Sequence, residues 1–206
     1  MHTDAELEWA FRQPHYLALN KARLEHLGGM LDTLKIDLKG KHVLDVGAGI
    51  GDLSQWIAER GASVLATDAR SENVDYMNRR GLNAETLDCD THVLSLAREP
   101  DFVLAYGILY HLKEPSFALH LWGSLAGKAV FIETMVASDT AIFGVTEDKY
   151  DLSQSASGFG CRPTLWWIKR CFVPQEWAFV IPEKQPDHPD YAEGRRAVCY
   201  ALRRDA

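Results

Sequence analysis

The sequence predicts an α/β fold: a doubly wound, mostly parallel sheet of about seven strands, with helices on its faces. Three observations predict it. Short β-branched runs alternate with helical stretches, a rhythm that calls for parallel strand pairs and right-handed crossovers. Two helical stretches stop at glycines, Gly61 and Gly81, as left-handed helix ends prefer. The run Val43–Val46 shows little alternation of apolar and polar residues, which suits a strand buried on both faces.

The elements follow in order. Residues from Ala5 to Leu31 read as a helix, kinked or split by Pro14 and weakened near its end by Gly28-Gly29. Lys41–Val46 is the first strand, Gly51–Arg60 a helix and Ser63–Thr67 the second strand. Ser71 is placed to cap a helix running to Arg80. Leu82–Leu87 and Asp101–Tyr106 are strands three and four; Ser116–Ala126 is a helix and Ala129–Met135 the fifth strand. Residues Ala137–Arg162, rich in Ser, Gly, Asp and Thr, read as a long binding loop or lid. Pro163 then opens a helix to Cys171. Trp177–Ile181 and Arg196–Leu202 read as two antiparallel strands at one sheet edge, joined by a rigid loop with Pro182, Pro186 and Pro189. The whole is Rossmann-like, with an N-terminal helical lid and an antiparallel C-terminal edge. One domain over 1–206 is expected: a lid at 1–40, a cofactor-binding core at 41–135, and a substrate loop with the last strands at 136–206.

Composition narrows the function classes. With 206 residues, 47% hydrophobic and 25% charged, the chain can build a full core. A formal net charge of -7 disfavours a large nucleic-acid footprint, because phosphate backbones are repelled. No apolar run is long enough to span a bilayer, and the N-terminus lacks a basic-then-apolar leader pattern. Cys89, Cys161, Cys171 and Cys199 have no Cys-x-x-Cys spacing and read as reduced thiols of a cytoplasmic protein. No metal is expected: His188 has no partners at ligand spacing.

The chemistry centres on Val43-Leu44-Asp45-Val46-Gly47-Ala48-Gly49-Ile50-Gly51-Asp52. A strand turns tightly into a helix here, at the carboxyl end of the sheet where open α/β folds bind ligands. The glycine spacing is G-x-G-x-G. Asp52 stands where the dinucleotide fingerprint wants its third glycine, and a carboxylate beside that helix N-terminus is badly placed for a pyrophosphate.

Asp45–Gly51 resembles motif I of the class I S-adenosylmethionine-dependent methyltransferases. The resemblance implies that Gly47, Ala48, Gly49 and Gly51 wrap the methionine part of that cofactor, with Asp45 near its ammonium. Asp68, 19 residues after Gly49, sits where a carboxylate accepts from both ribose hydroxyls, with Ala69 beside it. In Leu87-Asp88-Cys89-Asp90 the resemblance places Asp88 first and Asp90 second at the adenine amino group, with Cys89 at the ring. Asp101–Leu112, ending Tyr106-Gly107-Ile108-Leu109-Tyr110-His111-Leu112, is similar to the motif IV region of the same superfamily. The ordered set spans Val43–Met135. Asn20–Leu27, Gly47–Asp52 and Ser153–Thr164 are further similar to a group of small bacterial methyltransferases. Gly107–Leu112 with Glu133-Thr134 is similar to enzymes that build carboxymethyl groups on tRNA wobble uridines.

The reading is therefore a methyltransferase that moves the methyl group of S-adenosylmethionine, leaving S-adenosylhomocysteine. The acceptor is oxygen or nitrogen of a small anionic or hydroxylated metabolite. An RNA-modifying methyltransferase and an NAD-dependent oxidoreductase are the alternatives; the oligomeric state stays open. His111 is the leading general base; packing is its other reading. Tyr110 and Glu133 are the further catalytic candidates, with aromatic packing and a paired cation as their alternatives. Tyr16, Arg162, Tyr110 and Glu133 are the acceptor-binding candidates, Arg162 as a planar clamp or a structural ion pair. Tyr16 and Arg23 are candidates to contact the cofactor carboxylate or the acceptor; a helix packed on the sheet edge with solvated charges is the other reading.

Overall fold

The computed structural model describes residues 2–91, 96, 98–138 and 141–204. The helical stretch at the N-terminus is two helices, α1 (Asp4–Phe11) and α2 (Pro14–Thr33). Thr3 and Glu6 close a reciprocal capping box on α1, and Pro14 starts α2 at its first turn, where a missing N–H costs nothing. Then come β1 (His42–Val46), α3 (Asp52–Ala58), β2 (Ser63–Asp68), α4 (Ser71–Arg79), β3 (Ala84–Thr86) and β4 (Phe102–Tyr106). A 3₁₀ turn (Leu109–His111) leads to α5 (Pro115–Leu125) and β5 (Ala129–Met135). The remainder is β6 (Ile142–Thr146), β7 (Phe159–Pro163), α6 (Leu165–Arg170), β8 (Trp177–Val180), α7 (Pro189–Ala192) and β9 (Arg196–Arg203).

The main sheet has seven strands in the order β3-β2-β1-β4-β5-β9-β8. β1 to β5 pair in parallel, while β9 runs antiparallel to β5 and to β8. The chain winds outward from β1 to β3 and then returns to β4. The strand order therefore reverses between β1 and β4, which opens a crevice beyond their carboxyl ends. Each face carries its own core. One packs Trp122, Leu119, Ile132 and Ile168 under α5 and α6; the other packs Leu27, Leu31, Ile57, Leu104 and Phe131 under α2 and α3.

Four local expectations are corrected. Residues 137–162 are not an unstructured loop: β6 and β7 form a separate antiparallel ribbon. Pro163 ends β7 rather than starting a helix; Thr164 caps α6, its hydroxyl accepting from the Trp167 N–H. Ser71 lies inside α4 and does not cap it; Arg70 holds that position without a side-chain bond, and the Ser71 hydroxyl donates to Glu72. The proline-rich connection ends in the short helix α7, with Pro189 at its first turn.

Candidate functional site

The turn after β1 sets the geometry. Gly47, Gly49 and Gly51 all have positive φ, 67°, 59° and 84°, a region that glycine enters without penalty. Close approach adds a second demand at all three; a Cβ on Gly51 would lie 2.5 Å from Leu82 Cδ1. A Cβ on Gly47 would lie 2.6 Å from Ile108 Cγ1, and one on Gly49 would lie 2.9 Å from the Phe11 ring. The turn is thus pressed from one side by the segment after β4 and from the other by the N-terminal lid.

Two buried carboxylates brace it. Asp68, at the end of β2, accepts the Gly49 N–H at 2.9 Å, the Arg70 N–H at 2.9 Å and the Asn73 amide at 3.1 Å. Burial still holds its pKa above the ordinary value against these bonds. Asp45 is 2% exposed and accepts from the Ser54 hydroxyl at 2.5 Å. Burial pushes its pKa up to about 7; the Ser54 bond opposes the rise and the nearby Asp68 adds to it.

A cavity of about 220 Å³ opens over this turn. Gly47, Gly49, Asp68, Ala69, Asp88, Cys89, Tyr106, Gly107, His111 and Tyr16 line it. A recess of about 30 Å³ adjoins it and is bordered by Asp45, Ala48, Tyr16, Asn20, Arg23 and Tyr106. Of the expected cofactor residues only Gly51 borders neither space; it precedes α3 and shapes the turn from behind. A wider groove of about 700 Å³ between α2 and residues 180–187 shares no lining residue with the cavity.

The loop after β3 is held by its own acids. Asp88 accepts the Asp90 N–H and the Thr91 hydroxyl, both at 3.0 Å. Asp90 accepts the N–H groups of Lys113 and Glu114 at 3.1 and 2.8 Å, tying the loop to the start of α5. Burial pushes the Cys89 thiol up to about 12, so it is neutral near pH 7.

The N-terminal helix α1 and the segment around Leu152 meet beside the cavity. Leu152 joins Leu7, Phe11, Ile50 and Tyr76 in a small apolar cluster. Polar latches surround it. Tyr76 donates to Glu8 at 2.7 Å, Asp52 pairs with both Arg12 and Arg80, and Asp4 pairs with Arg79. Arg70 Nη2 donates to the carbonyls of Lys149, Asp151 and Gln154 at 3.0–3.3 Å. Asp52, the obstacle to pyrophosphate, thus ties the end of α1 to α3.

The catalytic and acceptor candidates separate. His111 and Tyr16 line the cavity; Tyr110, Glu133 and Arg162 do not. Glu133 is fully buried and engaged at both oxygens. Oε2 accepts from Arg23 at 2.5 Å, while Oε1 accepts from Tyr191 at 2.9 Å and Arg196 at 3.1 Å. Burial raises its pKa, but the two guanidiniums win and hold it below the ordinary value. Tyr110 accepts from Arg196 at 3.2 Å, and the guanidiniums of Arg196 and Arg162 lie 4.8 and 5.5 Å from its ring centroid. Arg162 Nη1 donates to the carbonyls of Cys161 and Tyr110 at 2.7 and 3.3 Å, so it braces the ribbon.

Arg196, Tyr191 and Glu147 complete these networks and were not picked out by sequence reasoning. Glu147, inside Thr146-Glu147-Asp148-Lys149, has no local signal that separates it from Asp148. Among the described residues, no cluster of three His, Cys, Asp or Glu could hold a metal ion, and no helix is long and apolar enough to cross a membrane.

Residues 43–122 match a sequence family described as a methyltransferase domain. The matched stretch holds the glycine turn with Asp45, Asp68 and Asp88. The chain is 29% identical over 144 residues to the ubiquinone biosynthesis O-methyltransferase of Azoarcus sp. (strain BH72), covering 66% of this chain and 60% of that one. It is 33% identical over 127 residues to the enzyme of the same name from Xanthomonas oryzae pv. oryzae (strain PXO99A), covering 57% and 51%. The chain therefore spans between half and three-fifths of the length of these two relatives. In fold it is similar to the magnesium protoporphyrin IX methyltransferase of Synechocystis PCC 6803 with bound S-adenosylmethionine. That match has a TM-score of 0.68 and 16% identity, covering 97% of this chain and 90% of that one. It is also similar to an S-adenosylmethionine-dependent methyltransferase from Mesorhizobium loti, with a TM-score of 0.63 and 17% identity, covering 81% and 93%.

Proposed function

We propose that this chain is a methyltransferase that binds S-adenosylmethionine in the cavity at the β1 turn and methylates a hydroxyl oxygen of a small molecule. One observation carries the cofactor assignment. A buried carboxylate, Asp45, and a buried guanidinium, Arg23, border one small recess beside the glycine turn. Arg23 Nε and the Tyr106 hydroxyl are buried without a hydrogen-bond partner among the described residues. Orphaned buried polar groups are costly, and an α-amino acid end brings a carboxylate for Arg23 and an ammonium for Asp45. Asp68 is the group for the ribose hydroxyls, and the Asp88–Cys89 loop takes the base.

The bound cofactor supplies an electrophilic methyl group on a sulfonium. The chain supplies position, a dry site and a proton acceptor. Phe11 and Leu152 close the site from above, and His111 is the ring at the cavity wall suited to take an acceptor proton. Tyr16 is our assignment for the acceptor side. We assign Tyr110, Glu133 and Arg162 to holding that wall. The names of the curated relatives support oxygen over nitrogen as the acceptor atom.

Calorimetric titration with S-adenosylmethionine and S-adenosylhomocysteine, with NAD as control, tests the reading. Micromolar binding of the two sulfur compounds and none of NAD is expected; NAD binding alone would overturn it.

A further inference from the structure

The carboxylate that meets His111 comes from 36 residues away in the chain. Glu147 directly follows β6, and its side chain is 4% exposed. Its Oε2 lies 2.5 Å from His111 Nδ1 and also accepts the Ser155 N–H at 2.9 Å. Its Oε1 makes no hydrogen bond among the described residues and faces Arg162 Nη1 at 3.7 Å. Room for this pairing comes from Gly160 on β7. A Cβ there would lie 2.4 Å from the Tyr110 carbonyl oxygen and 2.6 Å from Glu147 Oε1.

The other groups around the pair are accounted for. The Tyr110 ring lies 4.0 Å from the imidazole, centroid to centroid. The Cys161 thiol, pushed up to about 12 by burial, donates to the Leu109 carbonyl. Asp90 faces the backbone at 113 and 114. Burial works against the Glu147 carboxylate, but the bonds from His111 and Ser155 and the charge of Arg162 hold its pKa below the ordinary value.

We propose that Glu147 is a positioning residue for His111. An ionised carboxylate only accepts, so it selects the neutral imidazole tautomer with the proton on Nδ1. The lone pair then sits on Nε2, which has no protein partner among the described residues, on a ring that lines the cavity. This inference rests on the proposed methyl transfer. There the acceptor O–H proton passes to Nε2 and the freed oxygen pair forms the new O–C bond. The C–S bond breaks with its pair left on sulfur. The imidazolium so formed faces the Glu147 anion and later returns its proton to water.

The test is the imidazole nitrogen spectrum of uniformly ¹⁵N-labelled protein with S-adenosylhomocysteine at neutral pH, with His111→Ala to assign the signal. A single Nδ1–H tautomer is expected in the parent protein. Glu147→Gln, which keeps an accepting oxygen and guards against misfolding, is expected to retain it. Glu147→Ala is expected to give a mixture of tautomers. An Nε2–H tautomer in the parent protein, or an unchanged spectrum in Glu147→Ala, would overturn the assignment. Calorimetry on the same samples separates the two levels. Failure of the parent protein to bind S-adenosylhomocysteine sinks the functional reading itself, whereas normal binding with a contrary spectrum sinks only the role of Glu147.

Discussion

Asp45→Asn should make the ligand-free protein more stable and its cofactor binding weaker. The Asp45 carboxyl is 2% exposed, and burial lifts its pKa from 3.8 to about 7. Its folded-state pKa lies above its unfolded one, so between about pH 4 and pH 7 the folded state holds the extra proton. Stability from this group is fully present below about pH 4 and is lost as pH rises through about 7. At pH 8 the ionised group therefore costs about 4 kcal/mol, at roughly 1.4 kcal/mol for each pH unit between the two values. Asparagine is neutral throughout and can still accept from Ser54. The variant should melt roughly 10 °C above the parent at pH 8 for a chain of this size, and close to it at pH 4. Calorimetry should show the reverse for function. Losing a charge-assisted contact of about 1.5–3 kcal/mol weakens S-adenosylhomocysteine binding by roughly ten- to a hundredfold. Parent affinity should rise with pH up to about 7, and variant affinity should not. Thermal melts of both proteins from pH 4 to 8 decide the matter. A variant no more stable than the parent at pH 8 would refute the idea that Asp45 is held ionised at a cost for a cationic ligand.

Three further predictions follow from the same geometry. Glu133→Ala leaves the Arg23 and Arg196 guanidiniums, 3% and 11% exposed, without their shared anion; urea unfolding should show a loss of about 3–5 kcal/mol, and unchanged stability would remove Glu133 as the hub. Gly160→Ala forces β7 away from the Tyr110 carbonyl and should cost about 1–3 kcal/mol as overpacking, read in the same assay. Asp68→Ala removes the acceptor for the Gly49 N–H, the Arg70 N–H and the Asn73 amide; S-adenosylhomocysteine affinity should fall at least tenfold in calorimetry, and an unchanged value would end the ribose assignment.

Local pattern carried much of the architecture. The runs at β1, β2, β4 and β5 are β-branched and bounded by glycine or aspartate, and Pro14 splits α1 from α2; each is a property of a few adjacent residues. The ribbon was illegible for the opposite reason. β6 and β7 are short, include Gly144 and Gly160, and are separated by a polar segment that mimics a loop. Ser71 and Pro163 were misplaced because a capping residue and a helix-starting proline are also found one position inside a helix or at the end of a strand.

By itself, then, the sequence determined the order of the elements, the positive-φ glycine turn and the acids at the ends of β1 and β2, because these depend on backbone conformation and short-range periodicity. Tertiary structure alone decided which charges meet. Arg23 reaches Glu133 across 110 residues and Arg196 reaches it across 63, through the docking of α2 and the antiparallel register of β9 on β5. Glu147 meets His111 only because the ribbon folds back onto the 3₁₀ turn. Burial then sets what each carboxylate does. Glu133 is neutralised by cations, Asp45 is left to pay for its charge, and only the packed structure distinguishes them.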